Sequence, residues 1–142
     1  MTLVEFMEGY KRAWEASDEH ALVALFAADG VYHNTPFAEQ RGHAAIAKYW
    51  ERTKLQSDIR LDYEILAQHA RGGVAHWHVT YQVTSEELFR IWAASTGTNA
   101  LARKPGDPLP RLALDGIAVV ELNDAGLCAQ FRLWWHSVVA NP

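Results

Sequence analysis

The chain is expected to be an α+β protein in which a curved, mainly antiparallel sheet wraps around three N-terminal helices. Three observations carry that expectation. Apolar residues recur at three- and four-residue steps in the first third of the chain, and from Asp58 onward they alternate strictly. Two turn sequences, Gly72-Gly73 and Asn123-Asp124-Ala125-Gly126, fold the alternating stretches into hairpins.

Leu3, Phe6, Met7, Tyr10, Ala13 and Trp14 share one face of a first amphipathic helix ending near Ser17. Asp18 then caps a second helix carrying Leu22, Val23, Leu25 and Phe26, with Gly30 supplying a left-handed exit. Val31 to Asn34 reads as a short strand ended by Pro36, and a loop runs on through Gly42. Ala45, Ile46, Tyr49 and Trp50 mark a third helix that reaches about Leu55.

Beyond it, Ile59, Leu61, Tyr63 and Ile65 alternate with Asp58, Arg60, Asp62 and Glu64, the pattern of a strand buried on one face. Ala75, Trp77, Val79, Tyr81 and Val83 oppose His76, His78, Thr80 and Gln82 in its hairpin partner. A second hairpin pairs Leu112–Leu122 with Leu127–Val139. Between the hairpins, residues 85–110 form an insertion. Thr84 and Glu87 have capping-box spacing ahead of a short helix with Leu88, Phe89 and Trp92, and an irregular Gly-, Thr- and Pro-rich stretch through Pro108 serves as a lid or a subunit contact.

All 142 residues fit one domain, large enough to close a core without disulfides or metal. Six Trp, five Tyr and five Phe make the interior aromatic. A net charge of -4 without a basic run argues against nucleic-acid or anionic-membrane partners, and no stretch is long and apolar enough for a membrane span. The N-terminus lacks a basic segment followed by an apolar one, so a cytoplasmic protein is expected. The single Cys128 excludes an internal disulfide and reads as a small buried thiol.

Asp115 stands alone in the apolar run Leu112-Ala113-Leu114-Asp115-Gly116-Ile117-Ala118. A carboxylate withdrawn from water there must be paired, hydrogen-bonded or held protonated, and in the last case it is a proton donor. It is read as facing an apolar pocket. Trp77, Tyr81, Phe131, Leu133 and Trp135 share the inward parity of their strands, and with Trp14, Tyr32, Asn34, Tyr49 and Trp50 they are the candidate walls of a substrate site. His33 and Asn34 are adjacent, so only one of them faces inward. His76, His78 and His136 fall on the outer face, where interfacial or solvent-facing histidines are preferred over a three-histidine metal site; Arg132 and Trp134 share that face.

The run from Tyr10 through Trp14 to Asp18, then Leu25-Phe26-Ala27-Ala28-Asp29, Pro36, Gly42, Tyr49-Trp50 and Phe131 through His136, resembles the nuclear transport factor 2-like superfamily and, more narrowly, its SnoaL-like branch. The resemblance implies a cone-shaped α+β barrel with one open, mostly apolar pocket and a homodimer formed through the outer face of the sheet. It implies no single reaction. By likeness to the ketosteroid isomerases, whose oxyanion hole is a worked case of a protonated aspartate beside a tyrosine, Tyr10 and Asp115 would be the catalytic pair. Those isomerases carry their basic aspartate just before a proline; here Asn34-Thr35-Pro36 has one extra residue, Asn34 is the closest match, and an amide cannot shuttle protons. Ala113 stands where limonene epoxide hydrolases carry an arginine, whereas SnoaL-like cyclases use a strand aspartate, the role left to Asp115.

The sequence is thus read as a protein that binds a small apolar or aromatic carbonyl-type ligand. It would act without a cofactor as an isomerase, cyclase or lyase with Asp115 as acid, or else serve as a non-catalytic binding or dimerisation module.

Overall fold

The computed structural model describes residues 1–96, 103–104 and 106–140. The described elements are α1 (Leu3–Glu15), α2 (Glu19–Val23), β1 (Phe26–Thr35), β2 (Ala38–Arg41), α3 (Gly42–Trp50) and a 3₁₀ helix (Glu51–Leu55). They continue as β3 (Gln56–His69), β4 (Gly72–Val83), α4 (Glu86–Thr96), β5 (Arg111–Leu122) and β6 (Cys128–Ala140).

Thr2 opens α1 with a full capping box, its hydroxyl accepting from the Glu5 amide while the Glu5 carboxylate accepts from the Thr2 amide. The helix closes at Ser17, whose φ of 52° is the left-handed exit, with the Asp18 amide donating back to the Ala13 carbonyl at 2.8 Å. Asp18 then caps α2 by accepting from the Ala21 amide.

The second helix is shorter than its apolar periodicity predicts. It ends at Val23, and Phe26 already belongs to β1, where it pairs with Cys128 of β6. Gly30 lies inside that strand rather than at a helix exit: an added Cβ there would come within 2.8 Å of the Cys128 carbonyl oxygen. The segment expected as a loop before Gly42 contains β2, which returns antiparallel onto β1. In α4, Ser85 rather than Thr84 supplies the N-terminal hydroxyl, accepting from the Glu87 amide at 3.1 Å. The irregular stretch expected after α4 includes residues 97–102 and 105, which lie outside the described residues.

Among the described residues, six strands make one sheet in the order β2-β1-β6-β5-β4-β3, antiparallel throughout except between β1 and β6. The sheet is open, with β2 and β3 at its edges, and curves as the expected cone does, with α1 against its concave side. Phe6, Tyr10, Phe26, Tyr32 and Phe131 form the aromatic centre; Phe131 packs in tilted contacts 5.2 Å from Phe6, 5.1 Å from Tyr10 and 5.0 Å from Tyr32, ring centre to ring centre. No helix among the described residues is long and apolar enough to cross a membrane.

Candidate functional site

The concave face leaves a cavity of about 110 Å³. Tyr10 and Trp14, one helical turn apart on α1, form its floor with Tyr32 of β1 and Trp50 of α3. Trp77 and Tyr81 of β4 and Trp135 of β6 form the sheet wall, joined by Leu114 and Leu133. Asn34 and Tyr49 complete the set expected from the sequence. Phe131 is the exception. It is fully buried against the Tyr10 and Tyr32 rings, which themselves line the cavity, and belongs to the core rather than to the lining.

The question between His33 and Asn34 resolves at β1. Asn34 lines the cavity, while His33 reaches Gln130 of β6 at 2.8 Å. The Asn34 backbone carbonyl accepts from the Trp135 indole at 2.7 Å, which fixes that ring in the wall. The Trp14 indole donates to Gln56 Oε1 at 2.7 Å, so this buried polar pair is satisfied.

Four tyrosines bring hydroxyls to the cavity. Tyr10 and Tyr32 meet oxygen to oxygen at 3.4 Å. Burial pushes the Tyr10, Tyr32, Tyr49 and Tyr81 phenols above their ordinary range, and the nearby Arg52 charge only partly opposes this at Tyr32, Tyr49 and Tyr81. All four hydroxyls stay protonated at neutral pH. They can donate to a ligand oxygen but cannot serve as bases.

Several lining residues carry no strong signal in the sequence. Arg52 and Thr53 come from the 3₁₀ helix and Gln56 from the start of β3, while Leu88, Ile91, Trp92 and Ser95 come from α4. The Trp92 indole donates to Ser137 Oγ at 2.7 Å and ties that helix to β6. The Arg52 guanidinium lies 3.9 Å from the Tyr49 ring centre, and its Nε donates to the Tyr49 carbonyl at 3.0 Å. A polar residue after an apolar helix reads as solvent-facing, and only the turn of the 3₁₀ helix brings it round.

Asp115 corrects the sequence reading. It faces away from the cavity, on the outer side of β5, with its carboxylate about half exposed. The reason is register: Asp115 lies directly opposite His78 on β4 and His136 on β6, and paired residues point to the same side of a sheet. Gly116 instead faces inward against Trp77.

Of the three ways to accommodate the acid, the chain uses pairing. Asp115 Oδ1 meets His76 Nε2 at 2.8 Å, Oδ2 meets His78 Nδ1 at 3.0 Å, and His76 Nδ1 reaches Glu64 Oε1 at 3.1 Å. Partial burial pushes the Asp115 carboxyl up, but the hydrogen bonds from His76 and His78 together outweigh it and hold the acid below its usual value. The bond to Asp115, then that to Glu64, raises the His76 imidazole above its ordinary range. Asp115 is thus an ionised surface carboxylate. Among the described residues, no set of three His, Cys, Asp or Glu side chains has the geometry to hold a metal ion.

A search of curated protein sequences returns no match. Solved structures with this fold include a candidate polyketide cyclase from Pseudomonas putida KT2440, 21% identical, with a TM-score of 0.65 over 96% of this chain and 92% of that one. The epoxide hydrolase/cyclase-like enzyme SalBIII, of pyran ring formation in salinomycin, is 14% identical, with a TM-score of 0.66 over 96% of this chain and 95% of its own. A nuclear transport factor 2-like protein of unknown function from Mesorhizobium loti is 19% identical, with a TM-score of 0.56 over 94% and 90%. The model of the SnoaL-like domain matches residues 7–131. The match runs from within α1 to the first residues of β6 and takes in most of the chain, which therefore belongs to the SnoaL-like domain family.

Proposed function

We propose that the protein binds a small aromatic or apolar carbonyl-type ligand in the cavity of the cone. One observation carries this reading. The described lining is aromatic and hydrogen-bond-donating, with no carboxylate, histidine, lysine or cysteine among its residues. Such a wall holds a ring by packing and takes its oxygen on tyrosine hydroxyls or an indole N–H. It has no group able to remove a proton at neutral pH. The acid role expected of Asp115 therefore has no place in this pocket, and the binding reading moves ahead of general acid-base catalysis.

Acetophenone, a single-ring ketone, tests the proposal. It should quench tryptophan emission saturably at one site per chain, and Leu114→Trp, which fills the cavity from β5, should abolish the signal while far-ultraviolet circular dichroism stays unchanged. Absence of saturable binding, or binding indifferent to Leu114→Trp, would refute the assignment.

A catalytic reading is favoured by family membership and by the cyclase and epoxide hydrolase/cyclase-like neighbours. In it, Tyr10 and Tyr32 polarise a ligand oxygen as negative charge develops there, so the reaction is a cyclisation or isomerisation driven by hydrogen-bond donation, without a cofactor. Turnover of a ketone, epoxide or polyketide substrate that falls in Tyr32→Phe with binding retained would distinguish it from simple binding.

The outer face of the sheet is proposed to pair with a second copy of the chain. Trp134, 46% exposed, and Val138, 63% exposed, lie there beside Ile117, and a large exposed apolar patch of this kind favours a symmetric partner.

A further inference from the structure

Two donors of the described lining stand out as unspent. Trp77 is 1% exposed and part of the wall, yet its indole Nε1 is buried without a hydrogen-bond partner. A buried donor left unmade is costly, and a ligand acceptor would relieve it. Arg52 is the only charged side chain in the described lining. Its Nε is used by the Tyr49 carbonyl and its plane rests on the Tyr49 ring, but no carboxylate among the described residues lies within ion-pair distance of its guanidinium. Its terminal nitrogens thus remain as a fork held in place by the Tyr49 contacts. The nearest acids by sequence do not answer it: Glu51 is exposed on the preceding residue, and Asp58 is taken by Arg60 at 3.3 Å and Arg111 at 3.1 Å.

A pocket with one fixed cation, no anion and an orphan N–H is complementary to an acceptor-only group of single negative charge. Size narrows the rest. At about 110 Å³ the cavity is of the order of the ~150 Å³ apolar hole known to take up benzene, so it holds one ring rather than a fused polycycle.

We propose that the ligand is a monocyclic carboxylate, its ring packed between Trp14, Trp77 and Tyr81 and its carboxylate paired with Arg52. This rests on the reading of the cavity as a ligand site and specifies the ligand's charge and size. Arg52 acts as the specificity-determining residue. One guanidinium matches a monoanion, and no second cation in the described lining balances a dianion.

The test compares benzoate with its neutral isostere benzamide by calorimetric titration of the intact chain. Benzoate should bind roughly 10- to 100-fold more tightly than benzamide, the span expected of a charge-assisted pair. Arg52→Gln should erase that ratio, benzoate losing far more affinity than benzamide, and Arg52→Lys should restore part of it. The wild-type ratio needs no variant, so a poorly folded substitution does not blunt the test. If benzamide binds as tightly as benzoate, the anion assignment is overturned and the cavity reading survives. If phenyl phosphate binds more tightly than benzoate, the monoanion assignment is overturned. If neither benzoate nor benzamide binds, the cavity reading fails and takes this proposal with it.

Discussion

At the scale of single residues, Asp115 shows how one side chain can be chemically conspicuous without being where the chemistry is. Its surroundings in the sequence are apolar on both parities because Ala113, Ile117 and Val119 on the outer face are themselves half-buried, so the usual contrast between faces is blunted. A readable signal was present: Glu121 shares the parity of Asp115, and two acids on one side mark the wetter face. The His76–Asp115 pair makes a pH-dependent prediction whose sign can be worked out. His76 is raised above its ordinary 6.5, so its contribution to stability is complete below that value and disappears as pH rises through the folded pKa. Asp115 is lowered from 3.8, so its contribution is present above that value and is lost as pH falls through the lower, folded pKa. Both groups are therefore charged and paired between 3.8 and 6.5. Asp115→Asn should lower the urea midpoint most within that window, by the equivalent of about 0.2–1 kcal/mol as for exposed ion pairs, with little effect at pH 9. Proton NMR should show the His76 titration moving back toward 6.5 in the variant. A His76 midpoint unmoved by the substitution would break the argument, as would any loss of acetophenone binding, since the acid lies outside the cavity.

At the scale of elements, the parity of β4 and β6 was fully legible: Trp77, Tyr81, Leu133 and Trp135 line the cavity as alternation predicts, because one buried face imposes a period of two on each strand. The boundary between α2 and β1 was not legible. Leu22, Leu25 and Phe26 carry helical spacing, yet Phe26 is claimed by Cys128 on a strand far along the chain, a long-range pairing that local periodicity cannot see. The same holds for α4, whose apolar stripe announces a helix but not that Leu88, Ile91 and Trp92 border the cavity. The junction of β4, β5 and β6 tests how tightly these elements are set. A Cβ at Gly116 would sit 2.3 Å from the Trp134 carbonyl oxygen, 2.8 Å from Trp135 Cβ and 2.9 Å from Trp77 Cζ2. The first contact is backbone and cannot swing aside, so relief requires β5 and β6 to separate. Gly116→Ala should cost at least the ~1–3 kcal/mol typical of overpacking, read as a lower urea midpoint, and should displace Trp77 enough to weaken acetophenone binding. A variant with unchanged midpoint and unchanged binding would show that the wall is far more yielding than this spacing implies.

At the scale of the whole molecule, the two faces of the sheet divide the work. The concave face is closed by α1, α3 and α4 around a cavity, whereas the convex face of β4, β5 and β6 is left bearing Trp134 and Val138 beside the His76, His78, Asp115 and Glu64 cluster. An apolar patch next to a mixed-charge cluster is well suited to a twofold contact, since the same surface then supplies both partners of every pair. Trp134 lies opposite Ile117 across β5 and β6 and is a large exposed aromatic of the kind whose truncation is costly to an interface. Sedimentation equilibrium should therefore show a dimer for the wild-type chain and a shift toward monomer for Trp134→Asp, with the circular dichroism of the fold retained. Because Trp134 points away from the cavity, benzoate affinity should be the same in the two proteins. The cluster adds a directional expectation: with His76 charged between two carboxylates, its protonation lowers the negative charge that each copy presents to the other, so dimerisation should strengthen as pH falls from 8 to 6. A wild-type chain that sediments as a monomer at every concentration, or a dimer that Trp134→Asp leaves intact, would move the contact away from this face.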